Sequence, residues 1–161
     1  MIPDYVCVDC ETSGATNKTY GNPFTDTNRL CYIGIGDSTG AIGHGIDVQN
    51  LPFGETLAAV ASEVRSNNRI FVGFNCKFDI HWLRRYGVTL NDNARIWDCQ
   101  LAEFIISNQQ TPLPSLEDTI VKYGLGKKYT LIEDEYWDRK CSCHVSPVEA
   151  LLSIMQKTFA Q

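Results

Sequence analysis

Asp9 and Glu11 lie two apart inside the apolar run "YVCVDCETSG", Tyr5 to Gly14. Residues two apart on a strand project from the same face, so this run sets two carboxylates side by side. Like charges so placed destabilise the strand, and a divalent cation is the usual group that offsets them. The alternative is a solvated edge face, against which Val6 and Val8 alternate with the carboxylates in an otherwise apolar run. Two further segments put a carboxylate where a sheet meets a helix. Asp79 stands at a strand-to-helix junction in "FVGFNCKFDIHWL", and Asp98 ends the strand-like "IWDCQL". Taken alone, Asp79 also fits a first-turn residue favoured by the helix dipole, and Asp98 reads better as the N-cap of the following helix. Hard oxygen donors of this type select Mg²⁺ or Mn²⁺ rather than zinc. A pair of such ions can activate water and stabilise the leaving oxygen in phosphodiester cleavage.

The elements that must position these groups follow from periodicity. A first strand covers "DYVCVDCE", followed by a polar loop from Ser13 to Asn28 rich in Gly, Asn and Thr. Strands are predicted over Arg29–Asp37 and Ala41–Val48, a meander of hairpin connections. Leu57, Val60, Ala61 and Val64 then recur at helical spacing in "PFGETLAAVASEVRSNN". Arg69–Asn75 reads as a short buried strand. "KFDIHWLRRYG" reads as a helix with Ile80, Trp82 and Leu83 inward and Gly87 closing it. "ARIWDC" is the fifth predicted strand. "QLAEFIISN" and "PSLEDTIVKYG" are predicted helices, the latter with Ser115 as N-cap, Asp118 three residues on, and Gly124 at its end. Three meandering strands before alternating helix and strand imply an α/β domain, a mixed five-stranded sheet with helices on both faces.

These segments resemble a known family. "VDCET" is similar to the first motif, Asp-x-Glu, of the DEDD superfamily of 3′–5′ exonucleases. "GFNCKFDIHWLRRYG" is similar to the second, Asn-x-x-Phe/Tyr-Asp at a helix start. "IWDCQLAEFIIS" followed by "LPSLEDTIVKYGL" resembles the next segment in proofreading domains of family A DNA polymerases, and "LIEDEYWD" resembles phage members in particular. The resemblance covers nearly the whole chain. It implies an RNase H-like fold and two-metal hydrolysis at the 3′ end of single-stranded DNA, with Mg²⁺ or Mn²⁺ as cofactor. In that scheme Asp9 bridges both metals, Glu11 binds one and positions the terminal nucleotide, and Asp79 reaches the second through water. Thr12 and Asn75 fall where the family contacts the 3′ nucleotide, and Phe78 where an aromatic supports that site. A DNA polymerase in cis or in trans is the implied partner.

The third motif of that family, Tyr-x-x-x-Asp, is not met. Aligning "VSPVEALLSIMQKTF" by its proline and helix puts Ile154 and Thr158 at the Tyr and Asp positions. Loss of that carboxylate is expected to weaken metal binding. His144 with Glu149 has the spacing of a sister branch, His-x-x-x-x-Asp, with Glu for Asp. A shifted reading frame from the third base of Ser153 permits Tyr-Asn-Ala-Glu-Asp, which lands on the same positions. The C-terminal end is therefore expected to be truncated or altered, and two functions compete. One is a metal-dependent 3′–5′ exonuclease impaired at its third motif. The other is an inactive nucleic-acid-binding domain on the same fold. An RNase H-type endonuclease shares the same parts.

The bulk numbers set bounds. The chain has 161 residues, 43% hydrophobic and 20% charged, which suits one globular domain over 1–161. A net charge of -5 advertises no polyanion partner, although bound cations reverse the sign of an acidic cleft. No apolar stretch is long enough to span a membrane, and no signal-peptide pattern opens the chain. Seven cysteines, several within apolar runs, imply reduced thiols rather than a disulfide framework. "CSCH" at Cys141, Cys143 and His144 has poor spacing for zinc and no second half. A monomer in the cytoplasm of a bacterial or phage-infected cell is the expectation.

Overall fold

The computed structural model describes residues 4–12, 21–39, 46–47, 53–66, 68–109, 112–126, 137–138 and 143–144. Strands β1 (Tyr5–Thr12) and β2 (Leu30–Asp37) run antiparallel, with Val8 opposite Ile35, Asp9 opposite Gly34 and Glu11 opposite Tyr32. After helix α1 (Phe53–Val64), strand β4 (Ile70–Gly73) returns parallel to β1 on its other side. Helix α2 (Cys76–Arg85) leads to β5 (Arg95–Asp98), parallel to β4, and then to helices α3 (Cys99–Ile106) and α4 (Leu116–Lys122). The described residues form a mixed sheet of four full strands in the order β2-β1-β4-β5, with the two-residue β3 (Ile46–Asp47) on the outer edge of β2, and four helices.

The third of the five predicted strands is the one that differs. Where a full strand was predicted over Ala41–Val48, only Ile46–Asp47, β3, is described, and it forms a two-residue ladder along the outer edge of β2. The predicted run "AIGHGIDV" carries two glycines and few branched apolar residues, a weak strand former. Two more strands, β6 (Trp137–Asp138) and β7 (Cys143–His144), make a separate two-residue antiparallel ladder.

The core follows the alternation of β1. Val6, Val8 and Cys10 are buried, and they meet Ile33 of β2, Phe71 of β4, Leu57, Val60, Ala61 and Val64 of α1, and Trp82 and Leu83 of α2. The helical spacing that predicted α1 thus marks the stripe that it buries. Helix α2 ends with the Gly87 N–H on the Arg84 carbonyl and the Val88 N–H on the Leu83 carbonyl, as the terminal glycine predicted. Among the described residues, no helix is long and apolar enough to cross a membrane.

Candidate active site

β1 outlasts its neighbour. Its pairing with β4 runs only from Tyr5 to Cys7, so the backbone beyond Cys7 has no β4 partner on that side. A buried N–H left there needs an acceptor. Asp79 supplies it from the first turn of α2: its Oδ1 accepts the Cys10 N–H at 2.9 Å, and the residue is only 2% exposed. Burial and the nearby charge of Asp9 push the Asp79 carboxyl up to about 7, against the opposing pull of the Cys10 N–H. Burial and Asp79 in turn push the Cys10 thiol up, so it stays a neutral hydrophobe.

The sequence placed Asp9 and Glu11 on one face, and β1 does so. Val6, Val8, Cys10 and Thr12 take the buried face, while Asp9 is exposed and Glu11 half-buried on the other. Asp79 is thereby brought close enough to Asp9 for their charges to couple. A cation would relieve that repulsion, which is the fit these donors offer to Mg²⁺ or Mn²⁺. Among the described residues, however, no three His, Cys, Asp or Glu side chains converge as a ready metal set. Cys141, Glu149, Ile154 and Thr158 lie outside the described residues. The zinc reading of "CSCH" therefore has no described partner set.

Two of the three expected substrate contacts share a cleft. Asn75 and Phe78 line one cleft of about 350 Å³ together with Asn22, Phe24, Lys77 and His81. Thr12 does not line it. It is 4% exposed, just past a register shift in β1, with its hydroxyl directed toward Gly21. Asn75 is the N-cap residue of α2 but makes no side-chain cap, and its backbone is left-handed at φ 66° and ψ 50°. Asn tolerates that conformation better than other non-glycine residues.

Asp98 explains how this turn is held. The N-cap reading was right, since its Oδ1 accepts the Gln100 N–H at 2.9 Å and the Leu101 N–H at 3.3 Å at the start of α3. Its second role was missed. The same carboxylate also accepts the Asn75 N–H at 3.1 Å and the Cys76 N–H at 2.8 Å. One side chain thus caps two helices and fixes the turn that aims Asp79. Gly73 was missed as well. A Cβ there would stand 3.1 Å from the Cys76 sulfur and 3.9 Å from Asp79 Oδ2, so a side chain at this position would press on the start of α2. The glycine in "VGFN" was the available signal.

A family model described as 3′–5′ exonuclease matches residues 2–152. No curated protein matches the chain by sequence. Among solved structures, the Aedes aegypti Nibbler EXO domain is similar at a TM-score of 0.58 and 14% identity, over 96% of this chain and 80% of that one. Brucella melitensis NrnC with bound Mg²⁺ is similar at 0.55 and 14%, over 95% and 72%. The Pol1 chain of M. smegmatis in complex with DNA primer-template and dNTP gives 0.54 and 21%. This chain is covered to 98% there and spans 24% of the polymerase chain. At such identities the likeness is one of fold, and it agrees with the RNase H-like expectation.

Proposed function

This chain belongs to the 3′–5′ exonuclease family, and we propose that it removes nucleotides from the 3′ end of single-stranded DNA in a metal-dependent hydrolysis. The observation that carries this is the approach of Asp79 to Asp9: a buried carboxylate held up to about 7 beside a second one. Such a pair is unfavourable without a cation and is a common mark of a functional site. Asp9, Glu11 and Asp79 would hold the divalent metal, which when bound supplies an activated water and charge neutralisation at the phosphate. The chain's own residues do the rest. Asp98 and Gly73 set the start of α2, which fixes Asp79. Asn75 and Phe78 offer a polar and an aromatic contact in one cleft, suited to a terminal nucleotide. The rival is a binding domain without turnover, favoured by Ile154 and Thr158 at the third-motif positions.

The test is release of mononucleotides from a 3′-labelled single strand in Mn²⁺. Asp9→Ala is expected to bring release to background while leaving the far-ultraviolet circular dichroism unchanged. A 3′-phosphate should suppress release, and equal cleavage of a circular strand would identify an endonuclease instead. If the chain binds strands without cutting them and Ile154→Tyr with Thr158→Asp installs cutting, the binding-domain reading holds for the natural sequence.

A further inference from the structure

The segment Gly21–Asn28 is fastened far more firmly than a surface connection requires, and the fastening leaves one aromatic ring exposed. Trp82 donates its indole N–H to the Gly21 carbonyl at 3.0 Å, and Arg85 donates to the Pro23 and Thr25 carbonyls at 2.7 and 2.9 Å. Inside the segment, the Asn22 side chain accepts the Phe24 N–H at 2.8 Å, and buried Asn28 donates to the Asn22 carbonyl at 3.0 Å. Gly21 has φ +68°, and a Cβ there would stand 3.0 Å from the Phe78 ring. Helix α2 and the segment are thus fitted to each other residue by residue. Yet Phe24 stays 77% exposed, its ring edge-on to His81 at 5.4 Å between centroids. A lone exposed Phe calls for no explanation. This one stands in the wall of the cleft that also holds Asn75, Phe78 and Lys77.

We propose that Phe24, braced by His81, is a stacking platform for the base one step upstream of the 3′-terminal nucleotide, with the Lys77 ammonium facing the intervening phosphate. The proposal rests on the exonuclease reading above. Its occupant is argued from three features. The cleft is shared with the residues assigned to the terminal nucleotide. Its exposed aromatic face accepts any base. Its lysine stands out in a chain of net charge -5, where a backbone phosphate needs a local cation. Backbone bonds fix where Phe24 leaves the chain, and the edge contact with His81 orients its ring, so part of the ordering cost is met before binding.

The test uses the full chain and a five-nucleotide single strand with 2-aminopurine second from its 3′ end and a phosphorothioate at the terminal linkage, in Mg²⁺. Wild type should quench the probe on binding. Phe24→Ala should lose the quench and bind about tenfold more weakly, the size of one base–aromatic stack. Phe24→Trp should restore both. Lys77→Ala should keep the quench and flatten the slope of log affinity against log salt by about 0.7, one phosphate contact on a single strand. Wild-type quench and affinity in Phe24→Ala would overturn the platform alone, provided the wild-type chain still degrades 3′-labelled DNA. A chain that neither binds this strand nor degrades DNA overturns the exonuclease reading and the platform with it.

Discussion

Helix α2 and the α3–α4 pair both carry apolar side chains and use them in opposite ways. In α2, Trp82 is 0% exposed, sandwiched by a stacked Tyr86 ring and the Arg85 guanidinium, with its N–H spent on the Gly21 carbonyl. In the other pair, Ile105, Ile106 and Val121 are all about two-thirds exposed, and Leu101 is half exposed. Among the described residues, Glu103 ties those two helices together through Lys122 and Tyr123. The candidate site sits on the first region. That is where burial is deep enough to shift a carboxylate, and where rigid packing can hold a strained Asn75.

The sharpest way to break this contrast is at Trp82. Trp82→Ala leaves a cavity and an unpaired Gly21 carbonyl, and should cost about 5 kcal/mol in urea unfolding. Leu101→Ala should change stability by less than about 0.5 kcal/mol. The Trp82 variant should also become sensitive to protease within residues 21–28, because the anchor of that segment is gone. Equal losses in the two variants would mean that the regions are packed alike.

A second effect separates the regions by pH. The Asp79 carboxyl is held at about 7 in the folded chain against an ordinary 3.8. Folding therefore favours the protonated form. In the metal-free protein, the stability is fully present below about pH 4 and is lost as pH rises through about 7. The loss by pH 8 should be roughly 3 to 4 kcal/mol. Asp79→Asn, which can still accept the Cys10 N–H, should abolish most of this dependence, and so should a saturating divalent cation. Thermal unfolding between pH 4 and 8, with and without Mg²⁺, measures it. A flat profile in the metal-free wild type would show that burial, and after it Asp9, do not raise the Asp79 carboxyl as inferred.

What the sequence disclosed and what it withheld divide along the same physical line. Period-two alternation placed Asp9 and Glu11 on one face, and period 3.6 found the buried stripe of α1, because both are local consequences of backbone geometry. Ser115 was read correctly as a cap, since its partner Asp118 is three residues away, with the Asp118 N–H on its hydroxyl at 3.0 Å. The double role of Asp98 was not legible. Its second pair of donors, Asn75 and Cys76, lies more than twenty residues back. The polar stretch Ser13–Asn28 read only as a loop, and the bonds that hold its described part, Gly21–Asn28, come from Trp82 and Arg85 some sixty residues on. Of the third predicted strand, only Ile46–Asp47 is described, paired along the edge of β2.

The smallest effect tests whether capping differs between the regions in the same sense as packing. Asp98 and Glu103 are both acidic side chains that tie two helices together, Asp98 through four backbone N–H groups and Glu103 through the side chains of Lys122 and Tyr123. Lys122, and after it Tyr123, hold the Glu103 carboxyl below its ordinary value, but Lys122 is itself half exposed and can be replaced by water. Asp98 satisfies four backbone N–H groups at once, so its loss leaves the first turns of two helices without their acceptor. Asp98→Ala should therefore cost roughly 2 kcal/mol, the loss of two caps at once. It should also weaken Mn²⁺ binding, because the turn before Asp79 is released from its left-handed start. Glu103→Gln should cost less than Asp98→Ala and leave Mn²⁺ binding unchanged. Asp98→Asn should fall between, since its amide keeps one acceptor oxygen for one helix and presents a donor to the other. If Glu103→Gln proves the more damaging of the two, the tie between α3 and α4 supports the site more than the start of α2 does.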